Sequence, residues 1–281
     1  MPDTTDKLII GCGYLGLRVA RRWLADGHRV AALTRGRAGE FRSLDIEPIE
    51  GDVTNPESLR SLPRAATVLY AVGMDRGAGH SMRDVYVAGL GNVLDALPEP
   101  GRFLYVSSTG VYGSADGGEV DETSPTEPTD DSGRTVLAAE QLLRTRLSPA
   151  ILLRFAGIYG PGRVMRADAL RTGAKLAGDP GKWINLIHVD DGVEAVLLAE
   201  LKAKAGHIYN VADGNPVTRG DFYARAAELL GTAEPVFDPS QSTPRGRGNR
   251  RVSNRRIVEE LGFSPAHPSY REGLAASLQA E

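Results

Sequence analysis

The sequence predicts an α/β fold: a doubly wound parallel sheet of the Rossmann type with a small C-terminal α/β lid. Short apolar runs of strand length alternate with segments of helical periodicity, and a glycine-rich turn follows the first apolar run. No linker-like stretch divides the 281 residues. We therefore expect one unit over 1–281, whose lid is formed mainly by about 160–185 and 212–281.

Six apolar runs bounded by glycine, proline or polar turns predict buried parallel strands, at 7–11, 29–34, 46–49, 66–72, 102–107 and 150–155. Helical spacing between them predicts helices at 14–26, 56–62, 81–97 and 134–147. The C-terminal part departs from strict alternation, with predicted helices at 164–177, 190–203, 218–231 and 269–279 around strands at 183–188 and 207–211. Strand–helix–strand alternation favours a doubly wound sheet, and the C-terminal departure favours the lid.

Composition restricts the class of protein. The chain has 33 Lys and Arg against 36 Asp and Glu, a formal charge of −3, and this balance argues against a nucleic-acid or membrane-surface partner. Cys12 is the single cysteine, so no internal disulfide forms, and the five histidines show no metal-type spacing. No apolar run approaches the about 18 residues of a membrane span. We expect a cytoplasmic protein without a metal.

Two segments are predicted to be loops. The segment 113–133 is acidic and rich in glycine and proline, and long loops of this kind are usually functional or mobile. Four arginines occur in the second segment, 238–250, and at the residue directly after it: Arg245, Arg247, Arg250 and Arg251. These arginines could bind an anionic ligand, or they could belong to a solvated surface loop; the sequence leaves both readings open.

The strongest motif is the segment GCGYLG at 11–16, between the first predicted strand and an amphipathic helix. Gly11 permits the tight turn, Gly13 lets a pyrophosphate approach the backbone, and Gly16 lets the helix pack close to the strand. Tyr14 and Leu15 then lie at the helix N-terminus, which attracts negative charge. The motif predicts a dinucleotide site; the alternative is a glycine-rich turn without a ligand.

The end of the second predicted strand bears on the type of cofactor. Thr34 and Arg35 stand where an enzyme that selects NAD usually places Asp or Glu for the ribose hydroxyls. A guanidinium can instead form a charge-assisted pair with a 2′-phosphate, so the sequence favours NADP, with NAD as the alternative. Asp52 and Val53 follow the third strand, where Asp52 could accept a hydrogen bond from the adenine amino group or could belong to the turn before Pro56.

Several ordered motifs together resemble the extended short-chain dehydrogenase/reductase superfamily, and more specifically its NAD-dependent epimerase/dehydratase branch. They are GCGYLG at 11–16, GDVT at 51–54, AVG at 71–73, YVSSTGVYG at 105–113, LRFAGIYGPGR at 153–163 and IHVDDGVEAV at 187–196. The resemblance spans nearly the whole chain. It implies that the backbone of Ala71 and Val72 lines the cofactor, that Ser108 is the active-site Ser/Thr, and that Ile158 lies near the nicotinamide.

The chain departs from this family at its catalytic pair, a Tyr-x-x-x-Lys on the helix after the acidic loop. Alignment with the family pattern puts Ser132 at the Tyr position and Val136 at the Lys position, and no Tyr-x-x-x-Lys occurs anywhere in the chain. An aliphatic hydroxyl is a far weaker acid than a phenol. In this respect the chain resembles atypical members of the superfamily, in particular the YeeZ-like subgroup.

Two functional hypotheses follow. The first is an NADP-binding protein with non-standard or absent catalysis, whose lid or loop reports cofactor occupancy to a partner. The second is an active oxidoreductase, epimerase or dehydratase on a small or sugar-like substrate, in which Ser108 orients the substrate and Tyr112 is the acid; Tyr112 is alternatively a packing residue. The resemblance also implies a homodimer through the helices at 81–97 and 134–147. The substrate or ligand is not identified by the sequence.

Overall fold

The computed structural model describes residues 4–75, 77–241 and 248–279. The chain divides into two compact units. Unit 1 comprises residues 1–107, 135–153 and 196–208, and unit 2 comprises 108–134, 154–195 and 209–281. Among the described residues, no helix has the length and apolarity needed to cross a membrane.

A seven-stranded sheet forms the centre of the fold. With strands numbered along the chain, its members are β1 (Thr4–Ile10), β2 (Val30–Thr34), β3 (Glu47–Glu50), β4 (Arg64–Tyr70), β5 (Arg102–Ser108), β7 (Ile151–Phe155) and β12 (Ile208–Val211). Their order is β12-β7-β5-β4-β1-β2-β3, and the pairs among β1 to β5 run parallel. The order reverses at β1, which lies between β2 and β4. This confirms the doubly wound fold class, and such a reversal is where ligands bind in open α/β sheets.

Helices cover the sheet of unit 1 with apolar faces. They are α1 (Gly16–Ala25), α2 (Ala38–Ser43), α3 (Gly89–Ala96), which follows a π-helical turn at Asp84–Ala88, and α4 (Asp131–Arg146), which starts in unit 2. Val93 of α3 and Leu143 of α4 are fully buried against Val68 and Leu152 of the strands. The helical stripes read from the sequence are therefore the faces that bury the sheet.

Unit 2 contains short strand pairs and the remaining helices. Its strands are β6 (Glu119–Val120), β8 (Gly157–Tyr159), β9 (Leu176–Ala177), β10 (Trp183–Ile184), β11 (Leu186–His188), β13 (Val217–Thr218), β14 (Phe237–Asp238) and β15 (Arg251–Val252). Its helices are α5 (Ala167–Thr172), α7 (Arg219–Leu230), α8 (Arg255–Leu261), α9 (Tyr270–Gln279) and the first half of α6 (Val189–Lys202). The pairs are β8 with β11, β9 with β14, β6 with β15, and β10 with β13. Phe222 and Leu274 are fully buried in its apolar core.

Three sequence-based predictions of elements are wrong. The predicted helix 56–62 is only a short 3-10 turn at Pro56–Leu59, because Pro63 disfavours a helical conformation at the residue before it. The predicted helix 164–177 reduces to α5, because Gly173 ends it in the left-handed conformation at φ +67°. The predicted strand 183–188 is two strands, β10 and β11, which pair with different partners.

Candidate functional site

The glycine loop closes against the end of a neighbouring strand in unit 1. Gly11 follows β1 and has a φ of +96°, and a Cβ added to it would lie 2.5 Å from the backbone atoms of Ala71 and Val72, which follow β4. The Ala71 N–H donates to the Ile10 carbonyl at 2.7 Å. Only glycine fits this conformation and this contact. The predicted cofactor-lining residues at 11, 71 and 72 therefore lie together where the strand order reverses.

The start of α1 is open toward this loop. A Cβ on Gly13 would meet nothing within 4 Å, whereas one on Gly16 would lie 2.6 Å from the Gly11 carbonyl oxygen. No side chain caps the N-terminus of α1, whose N-cap residue is Leu15. An uncapped helix N-terminus behind an open glycine backbone has the N–H donors and the dipole that a pyrophosphate requires. These residues fit a dinucleotide.

The side chains of Tyr14 and Leu15 are engaged within the protein. Leu15 is buried, and the Arg18 guanidinium lies over the Tyr14 ring, 4.1 Å from its centre. Arg18 also donates to the Tyr14 carbonyl at 2.9 Å. The contribution that we predict from Tyr14 and Leu15 to a cofactor site is therefore a contribution of their backbone.

The segment after β2 is held by the buried Thr34 side chain. Its Oγ1 accepts hydrogen bonds from the N–H groups of Gly36 at 3.3 Å and Arg37 at 2.9 Å. The Arg37 guanidinium pairs with Glu40 and donates to the Cys12 carbonyl at 3.0 Å. Arg37 thereby connects the end of β2 to the glycine loop.

The Arg35 side chain extends from the end of β2 toward two carboxylates. Its Nη2 lies 2.7 Å from Asp75 Oδ2, and its Nε lies 4.0 Å from Asp52 Oδ2. Arg35 and Asp75 are each about half exposed, with side-chain exposures of 50% and 51%. The hydrogen bond from Arg35 lowers the pKa of the Asp75 carboxyl, and the Gly77 N–H adds to this effect. The guanidinium predicted to select the cofactor is thus already paired.

Asp52 and Val53 begin the turn that follows β3. Asp52 Oδ1 accepts hydrogen bonds from both the N–H and the hydroxyl of Thr54, each at 2.8 Å. Val53 is buried, and its carbonyl accepts a hydrogen bond from Asn92 at 2.8 Å. These contacts favour the turn reading of Asp52, while its Oδ2 faces Arg35. The predicted contact of Asp52 with an adenine stays a prediction.

The two candidate catalytic residues lie in the first segment of unit 2. Ser108 ends β5, and its Oγ accepts a hydrogen bond from the Gly110 N–H at 3.1 Å, which shapes the turn leading to Tyr112. The Tyr112 hydroxyl donates to Asn210 Oδ1 at 2.8 Å and accepts from Arg154 Nη1 at 3.0 Å. Burial raises the pKa of Tyr112, although Arg154 opposes this shift. A buried phenol in two hydrogen bonds is a poor proton donor at neutral pH, so the geometry favours the packing role.

The other family positions lack acid–base groups. Ser132 and Val136 lie one turn apart on α4, so they share a face of this helix without a phenol or an amine between them. Ile158 lies in β8, is half-buried and pairs in register with Ile187 of β11. Ile158 and the catalytic candidates belong to unit 2, whereas the glycine loop and Arg35 belong to unit 1.

Sequence reasoning missed a cluster of three potential metal ligands in unit 2: His188, Asp191 and His267. Their donor atoms all lie within 4.8 Å of one another. However, the two imidazole rings lie against each other with centres 3.8 Å apart and planes tilted by 31°, and the Asp191 carboxylate accepts hydrogen bonds from the N–H groups of Ala266 and His267. The Asp191 oxygens are thus already engaged by backbone N–H groups, and Oδ2 also lies 3.1 Å from His267 Nδ1. The cluster therefore fastens the segment before α9, and its long sequence separation left no motif to find.

The arginine-rich loop is only partly described. Arg245 and Arg247 lie outside the described residues. Arg250 donates to the Thr109 carbonyl at 2.9 Å, and burial lowers its pKa. Arg251 donates to the Gly117 carbonyl at 3.0 Å and lies over the Trp183 ring. Arg250 and Arg251 thus hold the segment around 109–117; anion binding by this loop stays a prediction.

Comparisons with known proteins agree with this architecture. Residues 8–212 match the model of the NAD dependent epimerase/dehydratase family. Protein YeeZ of Escherichia coli K12 is 30% identical over 274 residues, which cover 92% of this chain and 95% of that protein. A conserved protein of unknown function from Silicibacter pomeroyi has a solved structure with a TM-score of 0.78 at 30% identity, covering 99% of each chain.

A third comparison shows the fold alone. The dTDP-glucose 4,6-dehydratase DesIV from Streptomyces venezuelae, solved as a double mutant with NAD and DAU bound, is 22% identical with a TM-score of 0.82. This likeness covers 98% of this chain and 96% of that one. Since the family model matches residues 8–212 and protein YeeZ is 30% identical over 92% of this chain, the chain belongs to the NAD-dependent epimerase/dehydratase family.

Proposed function

We propose that the protein binds NADP(H) in preference to NAD(H), and that it does not carry out the Tyr–Lys chemistry typical of its family. The glycine loop carries the first part: Gly11 is closed against β4 while the backbone at Gly13 stays open. When bound, the nicotinamide supplies hydride-transfer chemistry. The residues of the loop and of the start of α1 hold the pyrophosphate through backbone N–H groups.

The preference for NADP rests on Arg35. No carboxylate occupies positions 34–37, and the Arg35 guanidinium is half exposed at the end of β2, where it can pair with a 2′-phosphate. One charge-assisted pair contributes about 1.5–3 kcal/mol, roughly tenfold to a hundredfold in affinity. Calorimetric titration with NADP⁺ and NAD⁺ should show this difference in the wild type and its loss in Arg35→Ala. Equal affinities in the wild type would contradict the preference.

The absence of ordinary catalysis rests on positions 132 and 136. We expect little turnover by the wild type with a panel of carbonyl compounds in a nicotinamide absorbance assay. The double change Ser132→Tyr and Val136→Lys should create such activity, since general acid catalysis contributes about 10²–10⁴-fold. Ser108→Ala in that background should abolish the gain. Ordinary turnover by the wild type would overturn this part of the proposal.

The second candidate function is an active NADP-dependent oxidoreductase, epimerase or dehydratase on a small or sugar-like substrate, with Ser108 and Tyr112 as its catalytic residues. It is supported by the retained Ser108 turn and by the fold likeness to structures with nucleotide sugars, such as MoeE5 in complex with UDP-glucose and NAD. Tyr112→Phe separates the roles of the phenol. Turnover that survives this change eliminates Tyr112 as the acid. For either function we place the protein in the cytoplasm.

A further inference from the structure

We infer that Asp75 is a specificity-determining residue of the cofactor site: its carboxylate occupies on Arg35 the position that the 2′-phosphate of NADP takes, and the two exchange on binding. This inference rests on the proposed preference for NADP. Asp75 thus lowers the affinity for NADP that Arg35 raises. The reason is that the carboxylate must first leave the guanidinium before the phosphate can bind there.

The first support is the geometry of the pair. Asp75 Oδ2 accepts a hydrogen bond from Arg35 Nη2 at 2.7 Å, which bridges the end of β2 and the segment after β4. A phosphate that pairs with the guanidinium through two hydrogen bonds would use two neighbouring N–H donors, and the pair with Asp75 already engages a donor at Nη2. The side chains of Arg35 and Asp75 are both about half exposed, so solvent and ligand reach the pair.

The second support is the balance of charge. Arg35 and Arg37 supply two positive charges, and Asp52, Asp75 and Glu40 lie beside them with three negative charges. A phosphate dianion entering this surface therefore meets a net charge of −1, and movement of one carboxylate away from the arginines reduces this repulsion by bringing the net charge to zero. The arrangement of all five charged side chains, and not the two arginines alone, therefore determines the affinity for NADP.

The third support is that, among the residues that the structure describes, the Asp75 carboxylate accepts fewer hydrogen bonds from neighbours other than Arg35 than that of Asp52 or Glu40 does. Asp52 is held in its turn by two hydrogen bonds from Thr54, and Glu40 pairs with Arg37 through two hydrogen bonds within one helical turn. Besides the bond from Arg35, the described part of the chain gives the Asp75 side chain one hydrogen bond, from the Gly77 N–H to Oδ1 at 3.0 Å. Rotation of its Oδ2 away from Arg35 leaves that bond available.

The experiment compares affinities for NADP⁺ and NAD⁺ by calorimetry in Asp75→Asn, Arg35→Gln and the double variant. Asparagine keeps the oxygen that accepts from Gly77 and removes the charge. Asp75→Asn should bind NADP⁺ about 3- to 10-fold more tightly than the wild type, with NAD⁺ unchanged within twofold. The gain should vanish in the Arg35→Gln background and should shrink at high salt. Asp75→Ser is the second variant if the asparagine variant folds poorly.

Asp95→Asn is the matched control. Asp95 pairs with Arg146 at 2.6 Å near the end of α3, which leads into the beginning of β5, away from the ends of β1 and β4. This change removes the same charge and breaks a similar exposed pair, so it should not alter either affinity. If Asp95→Asn gains as much affinity for NADP⁺ as Asp75→Asn, the gain comes from the change in net charge alone, and the exchange at Arg35 is wrong.

The outcomes separate the inference from the function on which it rests. If Arg35→Gln weakens NADP⁺ but Asp75→Asn does not strengthen it, the preference stands and the exchange is wrong. A gain in Asp75→Asn that persists without Arg35 also refutes the exchange, because it shows repulsion alone. If the wild type binds the two dinucleotides equally and Arg35→Gln changes nothing, the proposed preference fails and the inference fails with it.

Discussion

Substitution of Gly13 by alanine separates the cofactor site from the stability of the fold. A Cβ at Gly13 meets no atom within 4 Å, and Gly13 does not adopt a left-handed φ. We therefore expect the free energy of unfolding to change by less than about 1 kcal/mol. Any change should be an increase, because alanine lowers the conformational entropy of the unfolded chain. The added methyl group nevertheless occupies the space through which a pyrophosphate approaches the backbone. NADP⁺ affinity should fall at least about tenfold, which corresponds to about 1.4 kcal/mol.

Gly11→Ala should have the opposite profile. The φ of +96° is unfavourable for alanine, which costs roughly 1–2 kcal/mol, and a Cβ 2.5 Å from the backbone of Ala71 and Val72 forces that segment apart. Overpacking of this kind typically costs about 1–3 kcal/mol more. The sum, about 2–5 kcal/mol, is a large part of the about 5–15 kcal/mol that stabilises a typical domain. The melting temperature of this variant should therefore fall even in the absence of a cofactor.

Urea unfolding and calorimetric titration of NADP⁺ measure the two quantities independently. Gly91→Ala on α3 is the control, because its Cβ would lie at an ordinary 3.8 Å from Leu142 and away from the glycine loop. The reasoning is refuted if Gly13→Ala binds NADP⁺ within twofold of the wild type, since the pyrophosphate would then not lie against the backbone of the glycine loop. It is also refuted if Gly11→Ala is as stable as Gly13→Ala.

Four further outcomes are expected. Glu200 pairs with Lys7 and accepts hydrogen bonds from Trp23 at 2.7 Å and Thr67 at 2.6 Å. Glu200→Leu should lower the free energy of unfolding in urea by about 3–5 kcal/mol, because it leaves the Lys7 charge without its partner. The double change Lys7→Met and Glu200→Leu removes both charges and should cost less. Burial raises the pKa of the Cys12 thiol to about 12, so a thiol reagent at pH 8 should label the unfolded protein and not the native one. Burial also raises the pKa of Asp213 from 3.8 to about 7, so the folded state binds more protons than the unfolded state between these pH values. The free energy of unfolding should therefore fall as pH rises from about 4 to 7. Asp213→Asn should flatten the dependence of melting temperature on pH. We expect a homodimer through α3 and α4, and light scattering that shows a monomer at micromolar concentration would contradict it.

The sheet and the glycine loop were predictable because their determinants are local in sequence. A strand of unit 1 is a short apolar run such as 102–107, and a glycine after such a run marks a turn that other residues cannot make. The predictions failed where a single residue ends an otherwise periodic segment, as Gly173 does for α5. Pairing was equally hidden: β6 and β15 are two residues each and lie about 130 residues apart, so no pattern in either segment indicates the other.

The environment of a candidate residue was less predictable than its position, and this difference decides how the site is interpreted. The motif identifies Tyr112, but the two residues that hold its hydroxyl, Arg154 and Asn210, come from distant segments, and these hydrogen bonds favour a packing role over proton donation. Arg35 was found from its place after β2, but the carboxylate of Asp75, 40 residues later, changes what that arginine offers to a ligand. A charged residue at a cofactor position specifies affinity only together with the charges that it already neutralises, because binding exchanges one partner for another. We therefore expect the ion pair that Arg35 forms before binding, as well as its place in the motif, to influence which dinucleotide this protein binds.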